Sequence, residues 1–402
     1  MANQKTTGAI AQAIVKQISE NKGLPYSDNS VAWMQALAAS GSDNLNTFFK
    51  ELMNVVISQR IKSEGFDNPL AKYKTGQLAL GVAEAELYVN PQSGRDFYTK
   101  VDDMATGVTG WTDDNSEHNF NTRLMLDRVP DIREVLHPVN FARQQQRTYS
   151  DYELSNVSVS WEKVGEMIDA ISRDLNASME IEEYTAMRGV VAGGIGTKIP
   201  IQPVTDVTDK ASAEALLVKA RSFFTRFQFP SEQFSGWNAA HPSAKIKTWC
   251  KPDSISIIMT SDLAAVVDVT VLAAAFHMDK ADFIGKVMVV DSLDKDGKVK
   301  AVLFDDTMLY FVPKFETSGA FYNPATCKQN FFLTRTEIMD VSPFSNAVAF
   351  TTDSFTDLTE QPDDWATDYT DYFYKVGTTY TQIPEGDAAP TFAVGKFAAL
   401  SV

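Results

Sequence analysis

Cysteine is nearly missing from this chain: there are two in 402 residues, Cys250 and Cys327, with no CxxC spacing around either. That excludes a disulfide framework and a cysteine-based zinc knuckle, and it suits a reducing compartment. Basic residues are also scarce, with 36 Lys and Arg against 52 Asp and Glu for a net charge of −16. Such a surface releases few counterions from a nucleic-acid backbone, so broad, tight DNA binding is excluded. Long apolar runs are lacking too. The longest, Leu263 to Phe276, is broken by Asp268 and is shorter than the roughly 20 residues that span a bilayer. The amino-terminal "MANQKTTGAIAQAIVKQISENKG" reads as an amphipathic helix rather than a leader. A soluble protein with no membrane partner is expected.

Signatures of chemistry are equally thin. The four histidines, His118, His137, His241 and His277, stand far apart; His118 lies in a polar stretch, and His137 and His241 precede prolines at expected loop positions. "GGIGTK" (Gly193 to Lys198) lacks the upstream glycine and the contiguous Gly-Lys of a phosphate loop, and reads as the exit of a helix. "SLDKDG" places Asp294, Asp296 and Gly297 as in a calcium loop, but Ser292 and Leu303 occupy the first and twelfth ligand positions, so a hairpin turn is expected. No GxSxG elbow, HExxH pair or dinucleotide fingerprint occurs. Among 52 acids a catalytic carboxylate pair is easy to imagine and impossible to locate. No catalytic, cofactor-binding or metal residue is assigned.

What is present is structural. Leu45, Phe48, Phe49, Leu52, Met53, Val56, Ile57 and Ile61 recur at three- and four-residue steps, predicting a helix from Ser42 to about Ile61. From Leu78 to about Val159 the chain turns short and mixed, and Tyr98 to Arg123 is a polar excursion with turn formers every few residues. Val164, Met167, Ile168, Ile171, Leu175 and Met179, continued after a slip by Tyr184, Met187 and Val191, predict a helix on the order of 45 Å long. Ser160 starts it and "GGIG" ends it. Beyond lie a helix in "SAEALLVKARSFFTRF", a buried strand in "SISIIMTS", a helix from Asp262 to Phe276, and alternating strands through "KVMVVDSLDKDGKVKAVLFDDTMLYFVP". The tail from Phe355 carries Asp and Tyr without a helical period and ends in a strand-like strip. The fold class is α+β.

A strut helix, a polar excursion before it, a mixed region after it and an amphipathic arm at the front resemble, in that order, the HK-97-like major capsid proteins of tailed phages. "GFDNPLAKYKTGQLALGVAEAELYVNP" (Gly65 to Pro91), "VLHPVNFARQQQRTYSDYEL" (Val135 to Leu154), "VLAAAFHMDKADFIGKVMVVD" (Val271 to Asp291) and "TRTEIMDVSPFSNAVAF" (Thr334 to Phe350) are similar to the phi-29-like group of small podophages. The resemblance implies an amino-terminal arm over 1–62, an extended loop over 63–147, a peripheral domain with a spine helix over 148–199 and 325–355, an axial domain over 200–324, and a tail over 356–402. Members of the group can carry an immunoglobulin-like domain at the carboxyl terminus; too few residues follow Phe350 for one here, and the tail's role stays open.

The resemblance further implies a non-enzymatic subunit that forms hexamers and pentamers of an icosahedral virion shell. A scaffold protein and a portal would be its assembly partners, in the cytoplasm of a bacterial host, and the contents would be double-stranded DNA touched only weakly. Contacts between subunits are expected at Trp111, Asp113 and Asp114 of the excursion and at His277, Asp279 and Lys280 of the helix exit in "VTVLAAAFHMDKADF". Two rival readings remain at this point: a cage of the same fold enclosing protein cargo, and a carboxylate-based hydrolase.

Overall fold

The computed structural model describes residues 7–58, 66–76, 81, 83–91, 130–150, 159–241, 244–266, 286–384 and 389–400. Three helices open the chain: α1 (Thr7–Lys22), α2 (Ser30–Ala39) and α3 (Ser42–Ser58). Asn29 starts α2, its side-chain oxygen accepting from the N–H groups of Val31 at 3.0 Å and Ala32 at 3.1 Å. Those are donors that a first helical turn leaves open. Strands β1 (Ala83–Asn90) and β2 (Asp131–Pro138) form an antiparallel pair, and β3 (Phe141–Ser150) follows.

The strut helix exists as expected. It is α4 (Trp161–Gly194), 34 residues long, hence about 50 Å at roughly 1.5 Å per residue. Ser160 caps it by accepting from the Lys163 N–H at 3.3 Å. Val164, Met167, Ile171, Leu175, Met179, Met187 and Val191 are all buried along one stripe. Between Met179 and Met187 the four-residue step falls on Glu183, which is only 2% exposed. The apolar pattern passes over this position to Tyr184 because it cannot anticipate an acid in a core stripe; the helix sinks Glu183 there, and ion pairs to Lys74 and Arg335 make the burial tolerable.

The rest of the chain supplies β4 (Ile201–Pro203), α5 (Lys210–Phe227), β5 (Ile255–Thr260), β6 (Val287–Val290), β7 (Val299–Asp305), β8 (Leu309–Asn323), β9 (Lys328–Val341), β10 (Ala347–Thr351), β11 (Phe355–Asp357), β12 (Tyr372–Val376), β13 (Thr379–Gln382) and β14 (Phe397–Leu400). They form a three-stranded sheet, β3-β9-β8, and a nine-stranded sheet, β11-β14-β12-β13-β4-β10-β7-β5-β6. The first sheet joins α1 to α4 around one core, where Trp33, Phe48 and Phe49 meet Phe331 and the α4 stripe. In the second sheet, α5 lays Leu216, Leu217, Phe223, Phe224 and Phe227 over Ile255, Ile257, Met259, Leu303 and Phe350. Every residue of β5 is buried, as its continuous apolar run requires.

Two expectations change. "SLDKDG" is a turn, with Gly297 at φ +68° and the Asp294 carboxylate accepting from the Lys298 N–H at 2.7 Å, but it is not a hairpin. β5 lies between β6 and β7, parallel to one and antiparallel to the other, so the turn carries the chain across β5. The tail, expected to show a strand only in its closing strip, forms four strands with a small core of Trp365, Tyr369, Ile383 and Phe397 and joins the sheet where Tyr380 pairs with Ile201. Its strands run only three to five residues, too short to show an alternation. The helix expected from Asp262 to Phe276 is described over Ser261–Val266, and its remainder lies outside the described residues.

Candidate subunit interface

In β1 the sequence alternates apolar and polar, "AEAELYVN", and β2 does the same in "DIREVLHP". A two-stranded sheet lying on a protein body normally turns its apolar side inward. Here the register places Ala85 opposite Leu136, Leu87 opposite Glu134 and Val89 opposite Ile132, all on the outward face. Leu87 is 63% exposed, Val89 61%, Ile132 52% and Leu136 63%. The polar side faces the body.

On that inner side His137 is fully buried, with Nδ1 2.8 Å from an Asp340 oxygen on β9 and Nε2 3.0 Å from a Glu86 oxygen on β1. Its ring stacks on Tyr310 of β8, with centroids 4.5 Å apart. Burial alone would push the imidazole down, but hydrogen bonds to Asp340 and Glu86 prevail and hold it up at about 9. Asp340 is only partly buried, which would push its carboxyl up, yet His137 and Lys198, whose ammonium lies 2.5 Å away, hold it at about 2. Ser342 donates to Glu86 at 2.8 Å, Tyr310 donates to Glu84 at 2.5 Å, and Lys314 pairs with Glu84. Toward the other end of β1, Tyr88 donates to the Lys247 carbonyl at 2.5 Å and stacks on Phe344.

The three-stranded sheet differs in that its inner side adds Phe141, Phe331 and Leu333 to the core, but it shares an outer side without charge at its centre. One face directs Arg143, Arg147 and Arg335 at Glu182, Asp174 and Glu183 of α4. The other carries Ala142, Gln144, Gln146 and Thr148 on β3, Thr336, Thr334, Phe332 and Asn330 on β9, and Phe315, Thr317, Gly319 and Phe321 on β8, as the register shows. None of these twelve residues is charged. In a chain of net charge −16 the outward faces of both the hairpin and this sheet are almost free of charge. Depletion of charge together with exposed aliphatic and aromatic side chains marks the centre of protein–protein contacts.

A buried carboxylate pair does exist, Glu183 with Glu337, but Lys74 and Arg335 engage both acids at the α4–β9 junction. Among the described residues, no group of three or more His, Cys, Asp or Glu could hold a metal ion.

A family model for the Phi29-like phage major capsid protein matches residues 10–351. The chain belongs to that family. Two curated relatives are the major capsid proteins of Bacillus phage PZA, 26% identical over 76% of this chain, and of Bacillus phage B103, 25% identical over 76%. The matched parts cover 63% and 64% of those proteins, so the chain spans less than two thirds of their length. Among solved structures, the capsid of Staphylococcus phage Andhra superposes with a TM-score of 0.54 at 14% identity, covering 72% of this chain and 85% of that one. The fold is thus the α+β, HK-97-like capsid fold. Strands β11 to β14 follow the end of the family match.

The contact residues expected from the sequence of this capsid-family chain, Trp111, Asp113, Asp114, His277, Asp279 and Lys280, all lie outside the described residues, as does His118. His241 ends the short helix Gly236–Ala240 and stacks on Trp237 at 3.7 Å. His137 corrects the reading: it is a strand residue, because Pro138 closes β2, where the missing N–H costs nothing, rather than opening a loop. Sequence reasoning missed its partners, since Glu86 and Asp340 lie 51 and 203 positions away.

Proposed function

We propose that the chain is the shell-building subunit of a phage head, assembling as hexamers and pentamers into an icosahedral particle around double-stranded DNA. A scaffold protein and a portal would serve as assembly partners in the host cytoplasm. The observation that carries the reading is the outward apolar face of the β1–β2 hairpin in a chain of this family. A subunit of net charge −16 repels its copies, and contact becomes favourable where charge is withdrawn from the meeting surfaces. Several modest contacts per subunit then close a shell that no single contact could hold.

In this reading 1–62 is the arm, 63–147 the extended loop, 148–199 with 325–355 the peripheral domain, 200–324 the axial domain and 356–402 an added tail. Trp111, Asp113, Asp114, His277, Asp279 and Lys280 would complete the contacts. The test is the double substitution Leu87→Ser with Leu136→Ser. The variant should keep its circular dichroism and thermal unfolding yet form no closed shells by negative-stain electron microscopy. Normal shells from it would overturn the interface. Native particles should contain nucleic acid; native particles filled with protein would favour the cargo cage.

A further inference from the structure

His137 is a histidine with no exposed surface, and both its ring nitrogens meet carboxylates. A neutral imidazole has one N–H and one lone pair, and would turn that lone pair on a carboxylate oxygen at one of the two contacts. With both acids ionised, only the doubly protonated ring satisfies both. The groups facing it are Glu84 and Glu86 from β1, Tyr310 and Lys314 from β8, Asp340 from β9 and Lys198 from the loop after α4. With His137 charged, three cations meet three anions across the junction between hairpin and body. With it neutral, one of Glu86 and Asp340 faces the ring's lone pair and loses its donor.

We propose that His137 is a positioning residue: its cationic ring latches the β1–β2 hairpin to β9, fixes the hairpin's angle, and thereby aims the outward apolar face at the neighbouring subunit. The aiming role rests on the proposed shell function, whereas the latch belongs to the single chain. Because the hairpin is held through charge and hydrogen bonds, it can lift from the body without uncovering an apolar core. The imidazole's rise from the ordinary 6.5 to about 9 couples protonation to closure. A group held above its free value supports closure fully below 6.5 and loses that support as pH rises through 9. The closed-to-open ratio should therefore fall by about two orders of magnitude over that interval.

The experiment uses the full-length chain under non-assembling conditions. Amide exchange by mass spectrometry, corrected for the intrinsic pH effect, follows peptides covering 83–90 and 131–138, with β5 and β7 as internal references. NMR of histidine labelled at Cε1 follows the four rings in parallel. The expected result is one ring titrating near 9, and hairpin protection lost over the same range while β5 and β7 stay protected. His137→Gln should remove that resonance and release the hairpin already at pH 7 with no further pH step. Glu86→Gln, which keeps the histidine and the shape of its neighbour, should move both midpoints down together.

A pH step that survives in His137→Gln, or a His137 ring titrating at or below 6.5, would overturn the latch. If His137→Gln does not fold, the Glu86→Gln midpoints decide: an unmoved midpoint overturns the proposal. Shells of unchanged form and yield from a folded His137→Gln with a released hairpin would overturn the aiming role while leaving the outward face, tested by the leucine substitutions, standing.

Discussion

Strands β1 and β5 are both short, yet they stand in opposite environments. β5 is buried at all six positions and alternates nothing. β1 alternates strictly and presents its apolar side to the outside, holding Glu84, Glu86, Tyr88 and Asn90 against the body. The contrast separates two jobs. β5 is fixed by transfer of apolar area out of water, a force without direction that tolerates no charge. The hairpin is fixed by directional polar contacts, which leaves its apolar area free for a surface the single chain does not contain.

The same kind of change at the two places should therefore give opposite results. Ile258→Asp, at a fully buried site in β5, should cost about 4 kcal/mol or more and abolish cooperative unfolding. Native-like thermal unfolding of that variant would erase the distinction. Next in size is Asp340→Asn, which leaves His137 and Lys198 without their shared anion and should cost about 3 kcal/mol, read by chemical denaturation.

The pH profile sharpens the point. Asp340 is held below its ordinary 3.8, so its support is present above that value and lost as pH falls through about 2, while that of His137 is lost as pH rises through about 9. Hairpin protection should thus be greatest between about pH 4 and 6.5. A flat profile from about pH 2 to about pH 10 would remove both groups from the account. Val89→Asp, on the outward face, should change monomer stability by less than about 0.5 kcal/mol while blocking assembly in light scattering. The smallest effect belongs to Lys210→Ala, whose exposed pairing with Glu214 at 3.9 Å is worth less than about 0.5 kcal/mol of either sign.

Much of the architecture is legible in the sequence where one physical signal dominates. α4 is long enough for its four-residue rhythm to be unmistakable, and its cap at Ser160 is local. β5 is an unbroken apolar run and α5 a clear stripe. β1 and β2 alternate as well, but inside a stretch that reads as short and mixed, and the direction the alternation faces is not legible, because the usual rule of apolar-inward assumes a single chain in water. The polar network behind the hairpin is silent in sequence: Glu84, Glu86, His137, Lys198, Tyr310 and Asp340 come from five separate segments and are unremarkable in each. Crossing over β5 was hidden for a similar reason, since Asp294 and Gly297 specify a turn and not which strand lies beside it.

β9 carries Glu337 and Asp340 three positions apart, the first tied through Lys74 and alongside Arg335 to Glu183 of α4, the second to His137 of the hairpin. In mechanical terms this strand is a crank between two levers. A pull on the hairpin from outside is delivered through Asp340 into the axis of β9, and from there through Glu337 and Arg335 onto the middle of the 34-residue helix. Ile258, Val302 and Phe304 of the nine-stranded sheet share one core with the α4 stripe, so strain entering at the hairpin would reach both sheets through that helix.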